Sequence, residues 1–203
     1  KIVHLLPFLA RSHLDPMPVR KVGHTKILCA GMMRPGDKLA SYQIVAQTLS
    51  HLSTAEWHLE IAGDGLARPA VEALFASIAD HVTFRGELEA SDMSEAYESA
   101  DLFFWPGVNE AFGMVYLEAQ AAGLPVVAQN RPGMCDLLAP AVYPDPDAGT
   151  APLARRISEL LNDDTTRLSA GTAARRFVAQ NHLLPKAAET LKSGLGTLEG
   201  PHS

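Results

Sequence analysis

The chain is poor in the residues that several common functions require. It holds two cysteines, Cys29 and Cys135, in 203 residues, too few for a disulfide framework and without the spacing of a zinc site. Cys29 falls in an apolar run, where a thiol is buried and inert, and the missing disulfides point to the cytoplasm. Aromatic residues make up only 6% and are scattered, so no stacking platform for glycan chains is evident. Clustered basic residues are lacking too. With 17 Lys and Arg against 23 Asp and Glu, a net charge of -6 argues against binding a nucleic-acid backbone. The eight histidines, from His4 to His202, show no metal-ligand spacing. No apolar run approaches the roughly 18 residues that a membrane span needs. A signal-peptide pattern is absent as well. The first residue is Lys rather than Met, so the chain is read as a piece of something longer.

What is present is the composition of a globular domain. At 47% hydrophobic and 20% charged residues, the chain is long and apolar enough to bury a substantial core. Short apolar runs, most of them ending in Gly or Pro, recur at Ile27–Gly31, Trp57–Gly63, His81–Gly86, Asp101–Pro106 and Pro125–Gln129. Such runs suit strands buried on both faces. Helical segments are expected between them at Ala40–Leu52, Arg68–Ile78, Asp92–Ser99 and Met114–Ala122. The second carries Val71, Leu74, Phe75 and Ile78 at helical spacing. Strand–helix alternation predicts an α/β fold, a Rossmann-like doubly wound parallel sheet. Three further helices, Leu153–Leu161, Arg167–Gln180 and Leu183–Lys192, make a helix-rich C-terminal tail. The expected organisation is a proline-containing linker over residues 1–25, a Rossmann-like domain over 26–182, and a last helix and tail over 183–203. Gly200–Ser203 is expected to fray.

The stretch NEAFGMVYLEAQAAGLPVV, Asn109 to Val127, carries the chemistry. Glu118 sits among Met114, Val115, Tyr116, Leu117, Ala119, Ala121 and Ala122, on a helix that Gly123 stops and Pro125 cannot continue. A carboxylate on a helix this apolar is costly without a donor. No Lys, Arg or His lies near it in sequence. Two readings stand: a ligand presenting hydroxyls satisfies Glu118, or a distant Arg pairs with it as a core acid. Glu110, beside Gly113, precedes the helix start, where free backbone N–H groups gather and favour anions.

The longer run DLFFWPGVNEAFGMVYLEAQAAGLPVV, Asp101 to Val127, resembles the signature of retaining, nucleotide-sugar-dependent glycosyltransferases of the GT-B fold, the family that includes bacterial polysaccharide glucosyl- and mannosyltransferases. The likeness continues upstream through KILCAGMMRPGDK, EWHLEIAGDGLARPAVEAL, HVTFRGEL and SEAYESADL, and so spans Lys26 to about Leu138. It implies that this domain is the C-terminal, donor-binding half of a GT-B enzyme. The acceptor half would lie outside the chain, and any peripheral membrane contact with it. Donor binding without sugar transfer is then expected of these residues alone. By resemblance Glu118 binds ribose hydroxyls. Glu110, as the catalytic-site carboxylate, and the amides of Ala111, Phe112 and Gly113 hold the sugar. The amides of Met114 and Val115 meet phosphate. The resemblance implies no metal and no cofactor; the partner is a nucleotide-diphosphate sugar, with no nucleic acid and no transmembrane segment.

Ligands of open α/β sheets bind beyond the carboxyl ends of the strands. The loop Gly31–Lys38 there offers Arg34 and Lys38, two cations suited to a diphosphate. It departs from the family pattern, which places Arg where this chain has Met32; Arg34 comes two residues later. Arg34 is therefore either a phosphate ligand or a solvated loop charge. Gly63-Asp64-Gly65 invites a dinucleotide fingerprint, but the sixth position is Arg68, so a tight strand-to-helix turn is expected instead. Arg85 resembles the position whose backbone meets the nucleotide base, while its side chain can equally be a surface charge. Two alternative functions remain, a non-catalytic nucleotide-sugar binding module and a GT-B-type nucleotide-sugar epimerase; a dinucleotide oxidoreductase is disfavoured by the failed fingerprint.

Overall fold

The computed structural model describes residues 2, 4–18, 25–52, 57–134 and 136–196. The expectations for Cys135, His24, His202 and the fraying of Gly200–Ser203 lie outside the described residues.

Five strands form one parallel sheet: β1 Thr25–Ala30, β2 Trp57–Ala62, β3 Val82–Gly86, β4 Leu102–Phe104 and β5 Val126–Val127, in the order β3-β2-β1-β4-β5. The apolar runs are buried as expected of parallel strands: Ile27, Leu28, Cys29, Leu59, Ile61 and Leu102–Phe104 have no exposure at all. Burial pushes the Cys29 thiol well above its usual range, so it stays protonated. The last two strands in the chain, β4 and β5, are shorter than their apolar runs, because Pro106 and Pro125 have no N–H to give a ladder.

Seven α-helices lie among the described residues: α1 Asp37–Leu49, α2 Arg68–Leu74, α3 Ala90–Ser99, α4 Met114–Ala121, α5 Ala151–Asn162, α6 Asp164–Asn181 and α7 Leu184–Gly196. Right-handed crossovers put α1 and α2 on one face and α3 and α4 on the other. The packing agrees, with α1 against α2 and α5, and α4 against α6. One helix stops early. The spacing of Val71, Leu74, Phe75 and Ile78 predicted a helix to Ile78, but α2 ends at Leu74 and a 3-10 segment, Ala76–His81, follows with a break at Ile78. Phe75 turns into the core there, edge-on to Phe84 at 6.0 Å, and the kink then delivers the chain into β3.

Over residues 2 and 4–18 the linker carries neither helix nor strand, and Thr25 at its end already belongs to β1, yet the linker is anchored. Leu9 N–H donates to the His182 carbonyl at 2.8 Å, Leu184 N–H donates to the Arg11 carbonyl at 3.0 Å, and Leu9 bridges Leu183. Arg175 on α6 donates to the carbonyls of Ala121 and Asp15, tying α4, α6 and the linker together.

Helix α6 can seat on the end of α4 because residue 171 is Gly. A Cβ there would lie 2.1 Å from the Gly123 carbonyl oxygen, which is rigid backbone. Gly171→Ala should gain about 1 kcal/mol of helix propensity and still lose overall, by about 1–2 kcal/mol, to overpacking. The variant should melt roughly 2–8 °C below the parent. A melting temperature at or above the parent's would mean that α6 does not approach α4 this closely.

Candidate functional site

Strand order reverses between β1 and β4, and the crevice beyond their carboxyl ends is where an open α/β sheet places a ligand. On the β1 side, Met33 is buried and pinned to the next loop: its N–H donates to the Asp64 carbonyl at 2.8 Å, and its carbonyl accepts from Ala67 N–H at 2.9 Å. That anchor turns Met32 and Arg34 outward, and both are exposed. Gly63 makes the anchor possible, since at φ 142 a Cβ would fall 2.0 Å from the Gly31 carbonyl oxygen.

On the β4 side, Trp105 ends the strand fully buried. Its ring meets Tyr42 edge-on at 5.1 Å, and a Cβ on Gly31 would lie 3.0 Å from it, so the β1 loop is shaped around the indole. Tyr42 OH donates to the Gly31 carbonyl at 2.5 Å, and Tyr116 OH donates to the Trp105 carbonyl at 3.0 Å. Beyond Pro106 the chain folds back tightly, with Asn109 in the left-handed region at φ 46, a conformation Asn tolerates. This loop brings Glu110 against Lys38. The Lys38 ammonium lies 2.6 Å from Glu110 Oε2, and the Trp105 indole N–H donates to the same oxygen at 3.1 Å. Both charged side chains are 13–14% exposed, and the ammonium stands 5.4 Å from the centre of the indole. Ser41 holds the loop from the other side, accepting from Val108 N–H at 3.1 Å.

Helix α4 starts at the same place. Gly113 caps it in the left-handed conformation and has no side chain to satisfy the first turn, which leaves the Met114 and Val115 amides outside the helix's own hydrogen bonds. Ala111 and Phe112 are exposed, Phe112 by 72%. One turn along α4, Glu118 lies in a groove of about 430 Å³ between α3 and α4, walled by Arg11 and Pro16 of the linker and by Arg175. Tyr97 OH on α3 donates to Glu118 Oε2 at 2.9 Å. Burial raises the Glu118 carboxyl above its usual range, against the opposing pull of the Tyr97 hydrogen bond and the Arg11 charge. Glu118 therefore has a donor on another helix, and it is only half-buried, with no salt bridge to an Arg among the described residues.

The structure brings Lys38, Glu110, Gly113, Met114 and Val115 to one crevice, with Glu118 in the adjoining groove. Arg34 is exposed in the β1 loop, with no ion pair among the described residues. The Arg85 side chain is elsewhere: β3 is the edge strand, and the guanidinium pairs with Glu60 of β2 at 3.0 Å. Glu60 is held by Lys26 as well, at 2.9 Å. The Gly63–Gly65 turn is a strand-to-helix turn as expected, since Asp64 accepts from Gly65 N–H and pairs with Arg68, both at 2.7 Å. Among the described residues no group of three His, Cys, Asp or Glu side chains could hold a metal ion, and no helix is long and apolar enough to cross a membrane. Sequence reasoning missed Trp105 and Tyr97. Trp105 had one usable signal: an indole closing a buried strand needs a partner for its N–H. Tyr97 had none beyond its apolar helix.

The family model described as glycosyl transferases group 1 matches residues 24–163. The chain is similar, at 35% identity over 130 residues, to a GDP-mannose-dependent monoacylated alpha-(1-6)-phosphatidylinositol monomannoside mannosyltransferase of Corynebacterium glutamicum, a match covering 59% of this chain and 34% of that protein. It is 33% identical over 129 residues to the sulfoquinovosyl transferase of Arabidopsis thaliana, covering 59% and 24%. The matched stretch thus spans about a quarter to a third of these relatives' length. Among solved structures, a lipopolysaccharide outer core galactosyltransferase superposes with a TM-score of 0.75 at 17% identity, over 95% of this chain and 54% of that one. The C-terminal domain of a glycosyl transferase group 1 protein of Francisella tularensis superposes with a TM-score of 0.63 at 19% identity, over 83% and 89%. At such identities the likeness is one of fold, and the fold is one half of GT-B.

The raised Glu118 carboxyl has a consequence for stability. Between its ordinary value and its raised one, the folded state binds more protons than the unfolded state, so this group makes stability fall as pH rises through that window. Glu118→Gln removes the effect. The variant should be more stable than the parent at neutral pH, with the difference closing towards about pH 4, below the ordinary carboxylate value. Thermal unfolding of both proteins across that range checks it; parallel pH profiles would show that Glu118 pays no burial cost.

Proposed function

The chain belongs to the glycosyl transferase group 1 family, and from that premise we propose that it binds a nucleotide-diphosphate sugar for retaining transfer of the sugar to an acceptor hydroxyl. The observation that carries the reading is the meeting of Lys38, Glu110 and the open first turn of α4 at the switch-point crevice. Cation, carboxylate and amide donors stand there beside the Glu118 groove, which falls within the usual volume of a small-molecule site. In this reading the Glu118 carboxylate takes the ribose hydroxyls, and the backbone near Arg85 faces the base. Lys38, Arg34 and the amides of Met114 and Val115 take the diphosphate. Glu110, with the amides of Ala111, Phe112 and Gly113, holds the sugar. The work asked of these groups is positional and electrostatic: they orient the anomeric carbon and stabilise the charge that leaves with the nucleotide diphosphate. It asks for no metal ion. Since the relatives run well beyond the matched stretch, the acceptor is assigned to additional chain, and these 203 residues are expected to bind donor without glycosylating an acceptor.

Titrating uridine, guanosine and adenosine diphosphates into the protein by calorimetry tests the reading, and at least one should bind. Hydrogen bonds to a charged group are worth roughly 1.5–3 kcal/mol, so Glu118→Gln should weaken that ligand by about tenfold to a hundredfold. Unchanged affinity would take Glu118 out of the site.

The shifted cation has its own test. Arg34→Ala should weaken the nucleoside diphosphate far more than the matching nucleoside. Equal losses for both would point to a disturbed loop, and no loss for either would leave Lys38 alone at the phosphates.

A further inference from the structure

Glu110 Oε2 accepts two hydrogen bonds of different kinds. One comes from the Lys38 ammonium at 2.6 Å, the other from the Trp105 indole N–H at 3.1 Å. Lys38 is mobile by chemistry: a point charge on a four-carbon stem, free to turn to a stronger anion such as a diphosphate. The indole is not. It is fully buried, edge-on to Tyr42, closed over by Gly31, and its own carbonyl is held by Tyr116 OH. A Lys38 that moves to phosphate leaves Glu110 without its counter-ion, and a carboxylate only 13% exposed then depends on whatever donor stays behind.

We propose that Trp105 is the positioning residue of this site, its indole N–H keeping the Glu110 carboxylate aimed into the crevice when Lys38 turns to the donor's phosphates. The proposal rests on the reading of the crevice as a nucleotide-sugar site. It makes the ion pair an exchangeable contact and the indole bond a fixed one. Trp105 then touches no part of the donor and acts on the sugar through Glu110 alone. Its loss should weaken recognition of the sugar and spare that of the nucleotide.

Trp105→Phe removes the N–H and keeps a ring in the space beside Tyr42. In calorimetry with GDP and GDP-mannose, and with UDP and UDP-glucose, the variant should bind the nucleotide diphosphate within about twofold of the parent. It should lose on the order of tenfold for the nucleotide sugar, the equivalent of one hydrogen bond. Equal losses for both ligands would make Trp105 a packing residue and overturn the proposal, as would no loss for either. A parent protein that binds none of the four would fail the functional reading itself, before any variant is compared. A second measurement needs no nucleotide and no folded Trp105 variant. The chain has two tryptophans, and the buried Trp57 indole N–H has no partner among the described residues, so the two indole signals in a nitrogen–proton correlation spectrum report different surroundings. Glu110→Gln should move one indole signal strongly and leave the other in place. Two unmoved signals would show that the indole does not hold Glu110, and would overturn the proposal whatever the binding data say.

Discussion

Five parallel strands, covered by helices on both faces, have no room for polar chemistry along their length. The central strands are largely apolar on both faces, and the charged residues that the sheet does carry, Lys26 on β1, Glu60 on β2 and Arg85 on β3, are paired with one another. Polar function is therefore displaced to the strand ends, and the reversal of strand order between β1 and β4 opens a crevice at one of them. Most of what the proposed function uses lies in the two loops that leave those strands, or on α1 and α4 that follow them; the backbone near Arg85, at the end of β3, is the exception. The burial of Trp105 and Met33 fixes where these loops stand.

Much of this could be read from the residues in order. Apolar runs bounded by Gly or Pro marked the five strands, and Gly123 marked the end of α4. The same kind of reading showed Arg68 to be wrong for a dinucleotide fingerprint, and the structure pairs it with Asp64 and Glu72 instead. What could not be read depends on partners far apart in the chain. Lys38 and Glu110 are 72 residues apart, Arg85 and Glu60 25, and Tyr97 and Glu118 21. Local spacing carries no signal for such pairs, so Glu118 looked unpartnered and the Arg85 side chain looked uncommitted. The early end of α2 escaped for a related reason. Val71, Leu74, Phe75 and Ile78 suit one helix, but the sheet edge needs Phe75 against Phe84, and tertiary packing overrides the spacing.

The charges assigned to the donor also show how its affinity would be set. Lys38 and Glu110 already satisfy one another, and Glu118 already accepts from Tyr97. A nucleotide sugar would exchange these contacts for its own, so its net binding energy is a difference between two well-made sets of contacts. Arg34, with no ion pair among the described residues, gives up nothing of that kind. The membership in the glycosyl transferase group 1 family and the half-GT-B fold agree with such a site, since the shared architecture supplies the crevice while the particular side chains set what it prefers.

The anchoring of the linker bears on the order in which the molecule assembles. Leu9 meets Leu183 and Arg11 meets Leu184 across more than 170 residues, and this same segment walls the Glu118 groove. Contacts so remote in the chain form late, because the loop they close is the most costly in entropy. The sheet and the Lys38–Glu110 crevice depend on elements that are nearer neighbours and can form before it. The groove is completed only when the two distant ends of the described chain meet, so a nascent or partly unfolded protein would own the crevice without owning the groove. On the proposed function, competence to hold a complete ligand is then a late event in folding, and it doubles as a report that the whole domain has closed.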